Sequence, residues 1–220
     1  MPKVLAIFLC FVPLLSFSQV SVVELEVRPI PEPHTRDTVV DRWNFAQPGY
    51  QKLSQQAKEL VYWTNYCRNS PKKFWDSAAA PIIKLFPRLQ TPEARSLEQA
   101  LIHAGTLSMF RLNPVLVKTA QGHANDMAAN QAGASHISTN GTDFATRMRL
   151  AGIRGAANEN ISISSQSILL SVILLYLDID LPTLGHRKTL LDPNLREIGV
   201  GAALYGKDQW FLVQDFASQQ

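Results

Sequence analysis

The stretch Arg196-Glu197-Ile198-Gly199-Val200-Gly201-Ala202-Ala203-Leu204-Tyr205-Gly206-Lys207-Asp208-Gln209-Trp210-Phe211-Leu212-Val213-Gln214-Asp215-Phe216 decides the fold. Residues 196–204 and 209–216 are apolar, partly alternating runs. Tyr205-Gly206-Lys207-Asp208 lies between them with the composition of a turn, so the stretch reads as a β-hairpin. Working outward, Asn158-Glu159-Asn160-Ile161-Ser162-Ile163-Ser164 reads as a further strand. Residues 165–177 are mostly apolar and uncharged, too short and too rich in serine to cross a membrane; they read as a buried helix. Upstream the periodicity is helical. Leu60, Trp63, Thr64 and Cys67 form one stripe, stopped by Asn69-Ser70-Pro71. Residues 96–107 form a second amphipathic helix. Asn113-Pro114 caps a long helix through Gln131, with Leu116, Ala120, Ala124, Met127 and Ala128 on one side. Thr142 and Asp143 open a short helix through Leu150. Several helices, a strand, a buried helix and a terminal hairpin suit an α+β fold. The arrangement expected is a three-layer α-β-α sandwich around a small, largely antiparallel sheet.

The ends of the chain carry different information. Lys3, an apolar run over residues 4–15 and Ser16-Phe17-Ser18 match a secretory signal peptide of residues 1–18, with cleavage before Gln19. The run is shorter than the roughly 18 apolar residues that span a bilayer, so no membrane anchor is expected after cleavage. Residues 19–50 read as an N-terminal arm and linker, with Pro29, Pro31 and Pro33 in a segment, 29–41, that suits an extended chain. Residues 51–220 form the expected domain. The formal charge of +3 is mild and its basic residues are scattered, which argues against nucleic acid as a partner. Of the two cysteines, Cys10 lies in the signal and Cys67 in a helical apolar stripe. An exported chain then has no internal disulfide, and Cys67 is expected to be a buried small hydrophobe.

Three polar residues stand out because their positions need a reason. His136 precedes a Ser-Thr-Asn-Gly turn, in a loop at a helix end. Glu159 shares a strand face with Ile161 and Ile163 by the two-residue period, while Asn158 and Asn160 face the other way. A carboxylate on an apolar face is costly unless paired. An ion pair with Arg147 or Arg187 would satisfy it, as would a role in a pocket. His186 follows Gly185 near the start of a helix, where the positive dipole end favours a neutral imidazole. His123, among Ala120, Ala124 and Met127, reads as a structural histidine. No Gly-x-Ser-x-Gly, phosphate loop or dinucleotide fingerprint occurs, so nucleophilic serine chemistry has no support.

The phrases Ser135-His136-Ile137-Ser138-Thr139-Asn140-Gly141, Asn158-Glu159-Asn160 and Leu184-Gly185-His186-Arg187, followed by Ile198-Gly199-Val200-Gly201, resemble the CAP superfamily in order and spacing. This group is also called SCP-like, or cysteine-rich secretory, antigen 5 and pathogenesis-related 1. The likeness is to its bacterial, disulfide-free branch and runs from about Leu60 to the C-terminus. It implies that His136 and His186 are the two pocket histidines and Glu159 a pocket acid. Many relatives carry a second glutamate before the Gly-His step. Here Asp178 and Asp180 occupy that region, and Asp178 matches better. The resemblance implies a secreted protein, extracellular or periplasmic, whose cleft of His136, Glu159, Asp178, Asp180 and His186 binds a lipid, glycan or protein ligand. Two imidazoles with carboxylates also suit zinc or another divalent metal, held by His136 and His186. The alternatives are a zinc-assisted extracellular hydrolase, with His136, Glu159 and His186 as the catalytic candidates, and an interaction module with a vestigial pocket.

Overall fold

The computed structural model describes residues 23–164 and 167–219. The expected signal peptide, residues 1–18, lies outside them. In chain order the helices and strands are α1 (Thr38–Phe45), α2 (Gln55–Asn69), α3 (Pro71–Phe74), a π-helical turn (Trp75–Ala79), α4 (Ala80–Leu85), α5 (Pro92–His103), β1 (Arg111–Leu112), α6 (Pro114–Ala129), α7 (Phe144–Leu150), β2 (Ala157–Ser164), α8 (Ile168–Leu177), α9 (Gly185–Leu191), β3 (Glu197–Tyr205) and β4 (Gln209–Ala217).

Local chemistry explains most of these boundaries. Ser54, Thr91, Asn113, Asp143 and Ser167 each accept a backbone N–H of the first turn of α2, α5, α6, α7 and α8, which satisfies donors a helix otherwise leaves bare. Pro92 and Pro114 sit at the first helical position, where no backbone N–H is needed. The helix expected over residues 96–107 is α5. Its Thr91 cap starts it at Pro92, and the extended backbone at Ala104 ends it, so Leu107 lies outside. The arm also differs from expectation. Within the proline-containing segment Asp37 caps α1 by accepting from Val39 and Val40 N–H, and Val40 and Asn44 are buried. A single good cap was enough to start a helix where the composition suggested only a linker.

The sheet order is β1-β3-β4-β2, with β2 at one edge. β3 and β4 form the expected hairpin, β2 runs antiparallel to β4, and the short β1 lies parallel to β3. Helix α6 covers one face. Gly199 and Gly201 make this possible: a Cβ there would lie 2.0 Å and 2.3 Å from the α6 backbone at Leu116 and Ala120. Ile161, Ala203, Phe211 and Val213 pack on that side with Ala120, Ala124 and Met127. Alternation sends Ile198, Val200, Leu212 and Phe216 to the opposite face, where they join the larger core formed with α2 and α8. Helix layers on both faces of a largely antiparallel sheet make a three-layer α-β-α sandwich. Cys67 is fully buried in the larger core, and burial pushes its thiol up to about 12. That accords with its reading as a small hydrophobe.

Candidate functional site

Strand β2 places its side chains on the two faces in turn, and its consecutive residues Glu159 and Asn160 each meet a histidine region. On the α6 side, Glu159 Oε1 accepts from His136 Nδ1 at 2.9 Å and its Oε2 accepts from Arg147 Nη2 of α7. The Glu159 side chain is 1 % exposed, and that of His136 is 40 % exposed. A buried carboxylate thus reaches outward through an imidazole. Desolvation opposes its charge, yet the His136 hydrogen bond and Arg147 prevail and hold Glu159 below the usual carboxylate range. Arg147 does more than neutralise. Its Nη1 also donates to His136 O and Ser138 Oγ, at 3.0 and 3.2 Å, so one guanidinium ties the histidine loop to the strand.

On the other face, Asn160 Nδ2 reaches His186 O at 3.5 Å and Asn158 Nδ2 donates to Thr189 Oγ1 at 3.2 Å, joining α9 to β2. His186 sits in the first turn of α9, as expected, after Leu184 in a left-handed conformation. Its Nδ1 bonds Asp178 Oδ1 at 2.5 Å. Asp178 ends α8 at a φ of 52°, a conformation that aspartate tolerates better than most residues. Its second oxygen accepts from Arg187 N at 2.9 Å. Arg187, the partner of Glu159 considered from sequence, instead donates to the α8 carbonyls of Tyr176 and Leu177 and to Ser96 Oγ.

The structure therefore separates the candidates into two imidazole–carboxylate pairs, His136 with Glu159 and His186 with Asp178. Asp178 is 1 % exposed and lies beneath its histidine. Asp180 lies at the surface. His123 is buried; its Nε2 bonds Ser135 O at 2.9 Å and its Nδ1 bonds Ser138 Oγ at 3.1 Å. Burial pushes its basicity down, the behaviour of a structural histidine. The sequence reading did not find Asp215, the cross-strand neighbour of Glu159, which is fully buried. Its two-residue offset from Val213 was the available signal, since it puts a second acid on the inner face.

Zinc-type chemistry can be tested against these donors. Each Nδ1 is engaged by a carboxylate, the arrangement that orients a metal-binding histidine and leaves Nε2 as the donor. The donors fit in type. In number they fall short of a site made by protein alone: among the described residues, no three His, Cys, Asp or Glu side chains are grouped to hold a metal.

The sequence profile of the CAP, or cysteine-rich secretory protein, family matches residues 98–216, more than half of the chain and all of both pairs. The chain belongs to the CAP family. Solved structures give a looser likeness. An extracellular SCP-domain protein of Bacillus anthracis is 24 % identical over 59 % of this chain and 44 % of its own, with a TM-score of 0.41. Venom allergen-like protein 4 of Schistosoma mansoni is 15 % identical over 76 % and 91 % of the two chains, with a TM-score of 0.45. An outer surface protein of Borrelia burgdorferi is 18 % identical over 52 % and 80 %, with a TM-score of 0.43. This chain thus matches less than half the length of the Bacillus protein. No match is found among curated proteins. Among the described residues of this CAP chain, no helix is long and apolar enough to cross a membrane.

Proposed function

We propose that this chain is an exported CAP protein that binds a ligand at the open edge of β2, through His136 and His186. The observation that supports this most is the anchoring of both histidines at one level of one edge strand. Glu159 holds His136 from one face, and the adjacent Asn160 touches the backbone of His186 from the other. Among the described residues, strand β2 has β4 on one side and no strand on the other. The imidazole of one histidine and the backbone of the other, met from opposite faces of one edge strand, have that edge as their common ground. With each Nδ1 on a carboxylate, each Nε2 is the nitrogen left to face a ligand.

The ligand class proposed is a lipid, glycan or protein displayed outside the cytoplasm. Residues 1–18 serve as the signal peptide, 19–50 as an arm, and 51–220 as the CAP domain. A divalent metal such as zinc belongs to the same reading: His136 and His186 would hold it, with remaining positions filled by water or ligand. Bound there, it would supply Lewis acidity and polarise an incoming oxygen. The carboxylates fix the imidazoles in the tautomer that suits either use, and Glu159, held anionic by Arg147, keeps its hydrogen bond to His136 over the neutral range.

Zinc titration by calorimetry tests the metal part, using wild type and the His136→Ala, His186→Ala and His123→Ala variants. The first two are expected to weaken binding at least tenfold and the third to leave it unchanged. Unchanged affinity in both of the first two would remove the metal and leave a metal-free cleft or an interaction module. Turnover on cell-wall, lipid or peptide substrates would instead favour the hydrolase.

A further inference from the structure

Glu159 and Asp215 face each other across the β2–β4 ladder, both buried on the α6 side of the sheet. Two carboxyl groups there meet one guanidinium. Arg147 bonds Glu159 and does not hydrogen-bond Asp215. Asp215 has a different neighbour: its Oδ2 lies 2.6 Å from Thr119 Oγ1 of α6. Asp215 Oδ1 is buried and meets no hydrogen-bond donor among the described residues, and the neighbour across the ladder is a second carboxyl group, Glu159. An ionised carboxylate so placed would be a buried, half-bonded charge beside a second one, which is unfavourable.

The Thr119 hydroxyl stands between Asp215 and its own helix. It lies 2.9 Å from Leu116 O as well as 2.6 Å from Asp215 Oδ2, and a hydroxyl carries a single hydrogen. Thr119 thus offers Asp215 one donor, shared with Leu116 O in the back-bond usual for threonine on a helix, which is too little to stabilise a buried negative charge. The other groups facing this spot are Glu159 from β2, Arg147 from α7, and His123 from α6 and His136, which face Glu159. Gly199 of β3 brings no side chain. Burial first, and then the Glu159 charge, raise the Asp215 carboxyl well above the usual range.

We propose that Asp215 is a neutral, proton-holding positioning residue that leaves the single guanidinium to Glu159 and thereby fixes His136. The functional weight of this rests on reading His136 as part of the binding site; the proton itself does not. Were Asp215 ionised, Arg147 would face two anions and its grip on Glu159 and the His136 loop would be divided.

The test uses side-chain NMR of the full exported chain without ligand, so that its result is independent of the zinc titration. In wild type, the Asp215 carboxyl carbon is expected at its protonated position at pH 7 while Glu159 is ionised. In Asp215→Asn, a neutral-for-neutral exchange, the Glu159 midpoint is expected to move by less than about half a pH unit. An ionised Asp215 would make it fall by about a unit or more as a like charge is removed. The positioning role has its own signature. As pH rises through the Asp215 titration, the His136 Nδ1–H resonance is expected to broaden in wild type and to persist in Asp215→Asn. An ionised Asp215 at pH 7, or identical His136 profiles in the two proteins, overturns the proposal. Should Asp215→Asn fail to fold, the wild-type carboxyl spectrum alone decides.

Discussion

The two histidine pairs use the same contact, an imidazole Nδ1 on a buried carboxylate, and are assembled in opposite ways. His186 and Asp178 are eight residues apart, joined by the turn between α8 and α9, and Asp178 is held by the backbone of Arg187. His136 and Glu159 are twenty-three residues apart and meet only because a loop, α7 and an edge strand converge. The first pair is a local feature that short-range geometry can form. The second is a product of the tertiary fold, and a buried arginine keeps it together. One pair should therefore tolerate damage that disables the other.

The largest expected effect breaks the distant pair. Arg147→Ala removes the cation from a buried carboxylate, and such losses cost about 3–5 kcal/mol. Urea unfolding should show that loss, while the His186 Nδ1–H resonance survives in the protein that remains folded. Equal damage to both pairs would contradict the contrast.

Gly199→Ala sharpens the same point through packing. The added methyl would lie 2.0 Å from the Leu116 backbone, and a backbone cannot step aside as a side chain does. A destabilisation of about 1–3 kcal/mol or more is expected, as for overpacking generally. It should fall on the α6 face that carries Thr119, Asp215 and the His136 pair.

Glu159→Gln tests the charge itself. At pH 7 it should cost about 1–3 kcal/mol, the range for a hydrogen bond to a charged group. Because the fold depresses the Glu159 pKa, its contribution is present above the unfolded value, about 4.3, and is lost as pH falls through the folded one. The gap between wild type and variant should therefore close in acid. A gap that stays constant from pH 7 to pH 3 would mean that the carboxylate charge contributes nothing.

Asp178→Asn should have the smallest effect of the four. Asparagine tolerates the same left-handed backbone and can still accept from Arg187 N, so about 1 kcal/mol is expected. Imidazole orientation, read from the His186 tautomer by nitrogen NMR, should change more than stability does.

The same contrast governs what the sequence could reveal. The hairpin was legible because Gly206 and the flanking apolar runs are local signals, and β3 and β4 lie within one residue of the expected bounds. The face of Glu159 followed from the period of two, and Arg147 was among its expected partners. The burial of His123 followed from its alanine and methionine neighbours. The preference for Asp178 over Asp180 came from the resemblance, whereas the contact that gives it meaning, His186 Nδ1 on Asp178 Oδ1, depends on how the α8–α9 turn closes and is not written in composition. Helix α1 was hidden because three prolines outweighed one aspartate cap. Asp215 escaped notice because its importance comes from strand register: only the pairing of β2 with β4 puts it opposite Glu159.

The central claim is that two separately assembled pairs serve one site, and a zinc-soaked crystal tests it most directly. One anomalous peak is expected at the edge of β2 away from β4, with the Nε2 atoms of His136 and His186 both at about 2.0–2.1 Å. Separate peaks on the two histidines, or a peak touching neither, would contradict it.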